Sequence, residues 1–391
     1  MISEQTWKFI AEHRFDDVRR LALSSSFVDM PAALQQIAGW QTARKKLPTW
    51  AATDGIVFPP RLNMEQCSSE SAARYKAKIV SSGNRFVDLT GGMGVDCWAL
   101  SEKFRETVYV EQNEMLCQLA SVNMPLLGRN VEVVHADAVE YLAEMPHADL
   151  VFVDPSRRDA NGFRTYGITD CVPNVAELLP VLLQRSDAVM LKLSPMLDWH
   201  KAIADLDNRV SQVHVVSIGG ECKELLLVAG REKTVAPRMF CVDDNSVFSC
   251  TTDENCVASI ADGIGPGQWL LVPNASVMKA GCFAQLSARY HVNQVARQSH
   301  LFIADGRVQG FPGRQFCIVG TSTMNKHEVM AMLNGVKSAN ISVRNFPMSA
   351  EQLRRRLRLE DGGDNYIFAT SLADGSHVLL LCRRAVKNEA D

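Results

Sequence analysis

Three glycines in four positions, directly after a short apolar stretch, constrain this chain more than any other feature of its sequence. Residues 86–100 begin with apolar side chains around Asp88 and continue with apolar residues at helical spacing after Gly91, Gly92 and Gly94. This pattern predicts a β-strand, a tight turn and an α-helix. Glycine allows positive φ and close approach of a ligand, and a helix start offers free N–H groups. The loop is therefore a predicted site for a nucleotide or a carboxylate.

The next three apolar stretches are each followed by an acidic residue. The first of them, residues 107–111, ends in Glu111, about 20 residues after the glycines, where a carboxylate meets ribose hydroxyls in nucleotide-binding α/β folds. The second and third are followed by Asp137 and Asp154. Open α/β sheets bind ligands at the carboxyl ends of their strands, so we expect these acids and Asp88 to lie along one rim.

This order of motifs resembles the class I S-adenosylmethionine (SAM) dependent methyltransferases. A dinucleotide-binding fingerprint would need a further glycine two residues after Val95, where this chain has Cys97. The resemblance implies SAM as the cofactor, with NAD(P), FAD or a fold without a nucleotide ligand as alternatives. The residues predicted to bind the cofactor are Asp88, Thr90, Gly91, Gly92, Gly94, Glu111, Gln112, Asp137 and Ala138.

Three later apolar stretches complete the predicted sheet. Residues 188–193 form a fifth strand, and residues 212–217 and 223–229 form two strands joined tightly at Gly219 and Gly220. This pair matches the antiparallel strands that close a methyltransferase sheet. We predict an α/β, Rossmann-like class I methyltransferase fold with seven strands in the order 3-2-1-4-5-7-6, the last strand antiparallel to the others. An N-terminal helical cap and C-terminal α+β modules flank it.

The whole chain resembles a bacterial family of SAM-dependent methyltransferases that carry a ferredoxin-like module and a C-terminal THUMP-like domain. The resemblance covers roughly residues 55–391. The sequence motifs that carry it are residues 65–70, 75–77, 88–96, 154–158, 192–198, 273–281, 311–314 and 343–347. It implies four parts: a helical domain (1–75), the methyltransferase domain (76–232), a ferredoxin-like α+β module (233–322) and a THUMP-like domain (323–391). THUMP domains accompany RNA-modifying enzymes, so RNA is the implied partner by domain analogy.

Charge is distributed unevenly along the chain. Residues 1–78 and 231–391 each carry a net charge of +3, whereas residues 79–230 carry −9. Basic flanks on an acidic core suit a polyanionic partner, although ordinary solvated faces remain an equal interpretation. A predicted helix at 350–359 carries four arginines, which cannot all find acids on one short helix, so we expect several phosphate contacts. They are Arg354, Arg355, Arg356 and Arg358. The basic run 44–46 is either a nucleic-acid contact or a solvated linker.

The segment after the fourth strand shapes the acceptor site in class I methyltransferases. We predict that Asp154 holds or partly deprotonates a nitrogen acceptor, with the carbonyls of Pro155 and Ser156 as further acceptors. Enzymes that methylate amino groups have Asn or Asp, two prolines and an aromatic residue here, but this chain has Ser156 and Arg157 in the last two positions. That departure leaves ring and exocyclic nitrogens both open. The residues predicted to bind substrate are Arg157, Arg158 and Lys192, and a salt-bridge role for one of the two arginines remains open.

These observations predict a SAM-dependent methyltransferase acting on a base nitrogen in rRNA or tRNA. The alternatives are a small-molecule methyltransferase and a non-catalytic RNA-binding protein that retains SAM. Residues 192–198 contain no cysteine, which disfavours a covalent cysteine mechanism. Eleven scattered cysteines without a Cys-x-x-Cys pair, a charged N-terminus and no long apolar run predict a cytoplasmic protein without a metal site or a membrane span. The sequence sets no oligomeric state.

Overall fold

The computed structural model describes residues 2–24, 27, 29–156, 167–253 and 256–384. The chain divides into two compact units. The first unit consists of Met1–Val213 and Glu224–Val235, and the second consists of His214–Lys223 and Ala236–Asp391.

Helices form the start of the first unit, as the apolar spacing predicts. Their bounds are α1 (Glu4–His13), α2 (Val18–Ser24), α3 (Met30–Lys46), α4 (Pro48–Ala52), α5 (Arg61–Gln66) and α6 (Glu70–Ile79). The hydroxyl of Ser69 accepts a hydrogen bond from the Ala72 amide and so caps α6 at its first turn. That cap fixes where α6 begins, immediately before the first strand.

Strands and helices then alternate through the methyltransferase-like part of the chain. The elements are β1 (Gly83–Asp88), α7 (Val95–Leu100), β2 (Phe104–Glu111), α8 (Glu114–Leu126), β3 (Glu132–His135), α9 (Ala138–Glu144), β4 (Ala148–Val153), α10 (Val175–Arg185), β5 (Ser186–Leu193), α11 (Trp199–Asp205), β6 (Val210–Ile218) and β7 (Glu221–Ala229). Within the described residues the strand order is β3-β2-β1-β4-β5-β7-β6, which confirms the predicted fold class. Strands β1 to β5 pair in parallel, and β7 runs antiparallel to β5.

Two strands that the sequence analysis missed extend this sheet. They are β8 (Arg238–Asp243) and β9 (Ser246–Thr251), which bring the sheet to nine strands in the described part of the chain. Only five of the twelve residues in these two strands are buried, and half of β9 is polar, so the alternation that marks a strand is weak. Their tight turn places Asp244 at φ 50°, a conformation that Asp tolerates better than most residues.

The N-terminal helices and the glycine loop share one hydrophobic core. Trp50 of α4 is fully buried and meets the ring of Trp98 of α7 edge-on, with 6.1 Å between centroids. Gln36 of α3 ties this core to the following loop, because its side chain donates to the Phe58 carbonyl and accepts from the Phe58 amide. The helices therefore form part of the body that supports the loop.

The second unit contains an additional sheet. Its elements are β10 (Trp269–Pro273), α12 (Ala275–Ala280), α13 (Phe283–Tyr290), β11 (Asn293–Gln294), β12 (Phe302–Ala304), β13 (Gly313–Ser322), α14 (Lys326–Met332), β14 (Asn340–Arg344), α15 (Ala350–Leu357), β15 (Asn365–Ser371) and β16 (His377–Arg384). The strand order over the described residues is β11-β12-β10-β13-β16-β15-β14. Strands β14 and β15 pair in parallel, and the other recorded pairs are antiparallel.

The structure provides partners for two of the four arginines of helix α15. Arg354 donates to the carbonyls of Ala339 and Glu360 and forms an ion pair with Asp361 at 2.6 Å. Arg355 forms an ion pair with Glu351 one turn earlier. Two of the four arginines thus find acids nearby, and Arg354 is structural, so replacing it would disturb the fold of this segment. The other two, Arg356 and Arg358, are exposed.

Steric packing leaves no room for a side chain at two of the glycines in the loop. A Cβ atom on Gly91 would lie 2.1 Å from the ring of Tyr109, and one on Gly94 would lie 2.4 Å from Met124 Cε. Gly94 also has φ 83°, which disfavours any other residue. The Tyr109 hydroxyl donates to the Gly92 carbonyl at 2.5 Å, which holds the loop against β2.

Gly91→Ala should therefore lower the free energy of unfolding of the first unit by about 1–3 kcal/mol, because the buried Tyr109 ring has no room to move. Urea unfolding followed by tryptophan fluorescence measures this, since five of the six tryptophans lie in the first unit. Gly230→Ala is the matched control: a Cβ there meets nothing within 4 Å and needs no positive φ. Equal losses in the two variants would contradict the steric argument.

Candidate active site at the carboxyl ends of the strands

The fold brings the predicted acids to the carboxyl-terminal edge of the parallel strands. Asp88 is the last residue of β1, Glu111 is the last residue of β2, and Asp154 directly follows β4. Asp137 is the N-cap of α9, which follows β3. Because β3, β2, β1 and β4 are neighbours in that order, these residues occupy adjacent positions on one rim, where open α/β sheets bind ligands.

Glu111 holds the glycine loop directly. One of its carboxylate oxygens accepts from the Gly92 amide at 2.8 Å, and the other accepts from the Asn113 amide at 2.8 Å. Each oxygen keeps a second lone pair, and the side chain is half-buried. Glu111 can therefore support the loop and still accept hydrogen bonds from a ligand.

Asp88 is fully buried and only half satisfied. Its Oδ1 atom accepts from the Thr90 amide at 3.0 Å, whereas Oδ2 has no hydrogen-bond partner among the described residues. Burial raises the pKa of Asp88 well above its usual range, and the nearby carboxylates of Asp96 and Asp154 raise it further. An unpaired buried acceptor is costly, so a ligand that donates to Oδ2 would be favoured here.

Five charged side chains alternate in sign beneath this rim and form what we call the charge chain: Glu224, Lys76, Asp96, Lys192 and Asp154. The ammonium of Lys76 is fully buried and lies 2.7 Å from Glu224 and 2.9 Å from Asp96. The ammonium of Lys192 lies 3.3 Å from Asp96 and 2.5 Å from Asp154. The chain thus connects α6, α7, β5, β7 and the end of β4.

The charge chain favours the ionised forms of Asp96 and Lys192. Although burial alone would raise the pKa of Asp96, Lys76 and Lys192 hold it below its usual range. Burial would likewise lower the pKa of Lys192, but the carboxylates of Asp154 and Asp96 raise it well above its usual range. The Ser68 hydroxyl donates to Asp96 at 2.8 Å and adds a hydrogen bond to the ionised form.

Asp154 is fixed at its backbone and at its side chain. Its amide donates to the Thr90 hydroxyl at 2.7 Å, its Oδ2 atom pairs with Lys192, and 37% of its side chain is exposed. The neighbouring Ser156 exchanges two backbone hydrogen bonds with Val172, at 2.7 and 3.0 Å. The Ser156 carbonyl, which the sequence analysis expects to accept from a substrate, therefore already accepts from the Val172 amide.

The other predicted residues fall into three groups. Asp137 accepts from the Val139 and Glu140 amides as the N-cap of α9, with Ala138 next to it as the first residue of the helix. Gln112 is exposed just after β2, and Pro155 is buried. Arg157 and Arg158 lie outside the described residues, so the structure does not address their predicted substrate contact.

Lys192 is surrounded by protein acceptors. The sequence predicts that it contacts the substrate, but its ammonium lies within 3.3 Å of Asp154, Asp96 and Ser68. These three partners match the three donors of an ammonium group. Its geometry fits the orientation of Asp154 better than direct contact with a substrate.

Sequence reasoning assigned no role to Lys76, Asp96 or Glu224. A weak signal exists, because Lys76 falls on the apolar face of α6 with Ala72 and Ala73, and Glu224 directly precedes a run of buried leucines. A charge at an apolar position is rarely buried unless it is paired. No pattern in the sequence shows that these charges pair with one another.

Lys76→Met should lower the free energy of unfolding of the first unit by about 3–5 kcal/mol, because it leaves the buried carboxylates of Asp96 and Glu224 without their shared cation. Lys78→Met is the matched control on the same helix, where the lysine is exposed, and should change stability by less than about 0.5 kcal/mol. Adding Glu224→Gln to Lys76→Met should recover part of the loss. Urea unfolding at neutral pH measures all three variants, and indistinguishable Lys76→Met and Lys78→Met proteins would refute the argument.

Two negative findings concern the described part of the chain. None of its helices combines the length and the apolar character that a bilayer span requires. Its His, Cys, Asp and Glu side chains form no group of three or more that could hold a metal ion.

Comparison with known proteins matches both C-terminal modules and the whole chain. Residues 269–312 match a ferredoxin-like domain family, and residues 313–384 match a THUMP domain-like family. The crystal structure of a Porphyromonas gingivalis W83 protein, described as that of a methyltransferase, superposes with a TM-score of 0.87 at 31% identity and covers 98% of both chains. An uncharacterized S-adenosylmethionine-dependent methyltransferase of Mycobacterium tuberculosis, in strains CDC 1551 and H37Rv, is 24% identical over 320 residues, which is 80% of this chain and 84% of the relative.

The comparisons agree with the geometry of the rim. The unpaired Asp88 oxygen and the glycine loop fit a cofactor that carries an ammonium group. The enzyme class, the cofactor and the family that the sequence resembles are therefore confirmed. The chain belongs to the class I SAM-dependent methyltransferases that carry a ferredoxin-like and a THUMP-like domain, and SAM is its cofactor.

Proposed function

We propose that this enzyme methylates a base nitrogen in RNA, either rRNA or tRNA. The observation that carries the proposal is Asp154, a carboxylate fixed by Lys192 and Thr90 at the rim, with part of its side chain open to an acceptor. The match of residues 313–384 to a THUMP domain-like family supports RNA as the class of substrate. The location that goes with this substrate is the cytoplasm, where thiols are reduced, and all eleven cysteines are free thiols.

The residues proposed to hold the cofactor follow from the rim. When bound, SAM supplies a methyl group activated on its sulfonium sulfur. Asp88 would accept from the ammonium of the methionine part through Oδ2, and Glu111 would accept from the ribose hydroxyls through its remaining lone pairs. The other proposed contacts are Thr90, Gly91, Gly92, Gly94 and Gln112, with Asp137 and Ala138 beside the adenine.

Asp154 is proposed to orient the acceptor and to take its proton. Lys192 occupies Oδ2, so Oδ1 is the atom that can accept the N–H of a base nitrogen. The hydrogen bond would direct the nitrogen lone pair toward the methyl group, and the carboxylate would take the proton that the nitrogen loses. Lys192 would act as a positioning residue, since it fixes the direction of the carboxylate.

Asp88→Asn tests the cofactor site. Asparagine keeps the bond from the Thr90 amide but cannot accept an ammonium proton with its NH₂ group, so SAM affinity should fall about tenfold or more. Because the pKa of Asp88 is raised on folding, its ionised form destabilises the protein as pH rises through that pKa. The variant should therefore gain more stability at about pH 8 than at about pH 5. Calorimetry with SAM and thermal unfolding measure both, and unchanged SAM affinity would remove Asp88 from the site.

Asp154→Asn tests the chemistry. The variant should fold and bind SAM, because Asp154 lies at the rim, yet lose about 10²–10⁴-fold in methyl transfer. Nucleoside mass spectrometry of RNA from a deletion strain should reveal one missing methylated nucleoside, restored by the wild-type chain but not by Asp154→Asn. Full restoration by the variant would show that other groups place the acceptor. An unchanged set of RNA nucleosides in the deletion strain would contradict RNA as the substrate.

Two in vitro measurements separate the alternatives. An RNA methyltransferase should bind RNA with the steep salt dependence that phosphate contacts produce, whereas a small-molecule methyltransferase should not show such binding. A non-catalytic protein that retains SAM would bind RNA but would not convert SAM when incubated with total cellular RNA.

A further inference from the structure

The first unit carries an aromatic and cationic cluster that the methyltransferase chemistry does not use. We call Arg14, Phe15, Trp40 and Arg44 the N-terminal cluster. The guanidinium carbons of Arg14 and Arg44 lie 5.4 and 5.3 Å from the ring centroid of Phe15, and 4.9 and 5.3 Å from that of Trp40. The two rings meet edge-on, with 5.1 Å between centroids. Two cations and two aromatic rings are thus assembled in one patch.

Phe15 is the exposed centre of this patch. This residue is 66% exposed, whereas most phenylalanines of a folded chain are buried. Trp40 is held in place because its indole N–H donates to the Ala51 carbonyl at 3.0 Å. The backbone around Phe15 is also fixed, since the side-chain Nε2 of Gln41 donates to the carbonyls of Arg14 and Asp16. The exposed ring is therefore part of a rigid surface.

The two guanidinium groups are available to an anion. Within the described residues neither Arg14 nor Arg44 forms an ion pair, and Arg14 Nε is buried without a hydrogen-bond partner. Lys46, in the same basic run, is used differently, because its ammonium donates to the carbonyls of Met64 and Glu65. The orphaned Nε of Arg14 points to an acceptor that the described chain does not supply.

A cavity of about 110 Å³ adjoins the cluster. Arg14 and Trp40 line it together with Thr53 and Asp54. The last two residues offer a hydroxyl and a carboxylate, which can pair with the polar edge of a planar ligand.

We propose that the N-terminal cluster binds an unpaired nucleotide of the RNA substrate, a step that rests on the proposed function. The base stacks on the exposed ring of Phe15, and the adjoining phosphate lies between the guanidinium groups of Arg14 and Arg44. Sequence-tolerant binding of single strands combines aromatic stacking with cationic backbone contacts. An acidic peptide would use the cations but would gain little from the exposed ring, so the aromatic centre favours a nucleotide.

The test uses the full chain and a fluorescein-labelled, unstructured RNA of about 12 nucleotides, within the range of single-strand sites. Phe15→Ala should weaken binding about tenfold or more with an unchanged salt slope, because it removes stacking but no charge. Arg44→Gln should reduce the salt slope by about 0.7, the value for one phosphate contact on a single strand.

Two controls match these changes elsewhere in the N-terminal helices. Leu23→Ala truncates a side chain that is 90% exposed, and Arg61→Gln removes an exposed arginine that pairs with Glu65. Both should bind the probe like the wild type. Circular dichroism confirms that every variant is folded, and calorimetry should give wild-type SAM affinity for all four.

The outcomes separate this inference from the proposed function. If the wild type binds the RNA and Phe15→Ala and Arg44→Gln bind it equally well, the N-terminal cluster is not the binding site. RNA would then remain the proposed substrate. Failure to bind the oligonucleotide while cellular RNA is still methylated also overturns it. Failure to bind or methylate any RNA removes both proposals. If the protein binds polyglutamate in place of the RNA, and Arg44→Gln weakens that binding, the partner of the cluster is an acidic protein. That result would contradict the proposal that the cluster binds a nucleotide.

Discussion

The active site of this enzyme depends on two lysines placed among three carboxylates below the rim of the sheet. Removing two ammonium groups and several carboxylates from water costs several kcal/mol per ion, and mutual attraction offsets this only when every charge has close partners. The charge chain meets that condition, with separations of 2.5–3.3 Å between its members. Because each member comes from a different element, the pairing sets how α6, α7, β5 and β7 meet beneath the glycine loop.

Two acidic residues of the same rim lie in opposite environments, one paired with a cation and one unpaired. Asp154 ends the charge chain and shares the Lys192 ammonium, whereas Asp88 is buried with one oxygen unpaired. A paired carboxylate is fixed in direction, which suits a group that must align an acceptor. An unpaired buried carboxylate is destabilising by itself, which suits a group that a cationic ligand satisfies. The unpaired Asp88 in the cofactor site thus lowers the stability of the protein without ligand, whereas the paired Asp154 in the acceptor site is held in a fixed direction.

The resemblance to class I methyltransferases supplied the sheet order, whereas the sequence itself predicted the strands, because most of them contain a short apolar run that is followed by a polar residue. The sequence placed Asp88, Glu111, Asp137 and Asp154 on one rim by the same argument. The charge chain escaped prediction, since Lys76 and Glu224 are 148 residues apart and no local periodicity relates them. The partners of Arg354 escaped it as well, because backbone carbonyls and an acid beyond the helix end leave no helical pattern. Strands β8 and β9 were missed because their exposed polar positions blur the alternation.

The core shared by the N-terminal helices and the glycine loop has a consequence for how such a chain can evolve. Trp50, Phe58 and Met64 are buried together with Met93 and Trp98, so the helices and the sheet share part of their interior. Gene rearrangements that exchange catalytic domains succeed where few contacts cross the break. A break between α6 and β1 would cut through this interior, so the helices and the sheet should be inherited as one piece, while the exposed segments outside that core are the places where other modules can be joined.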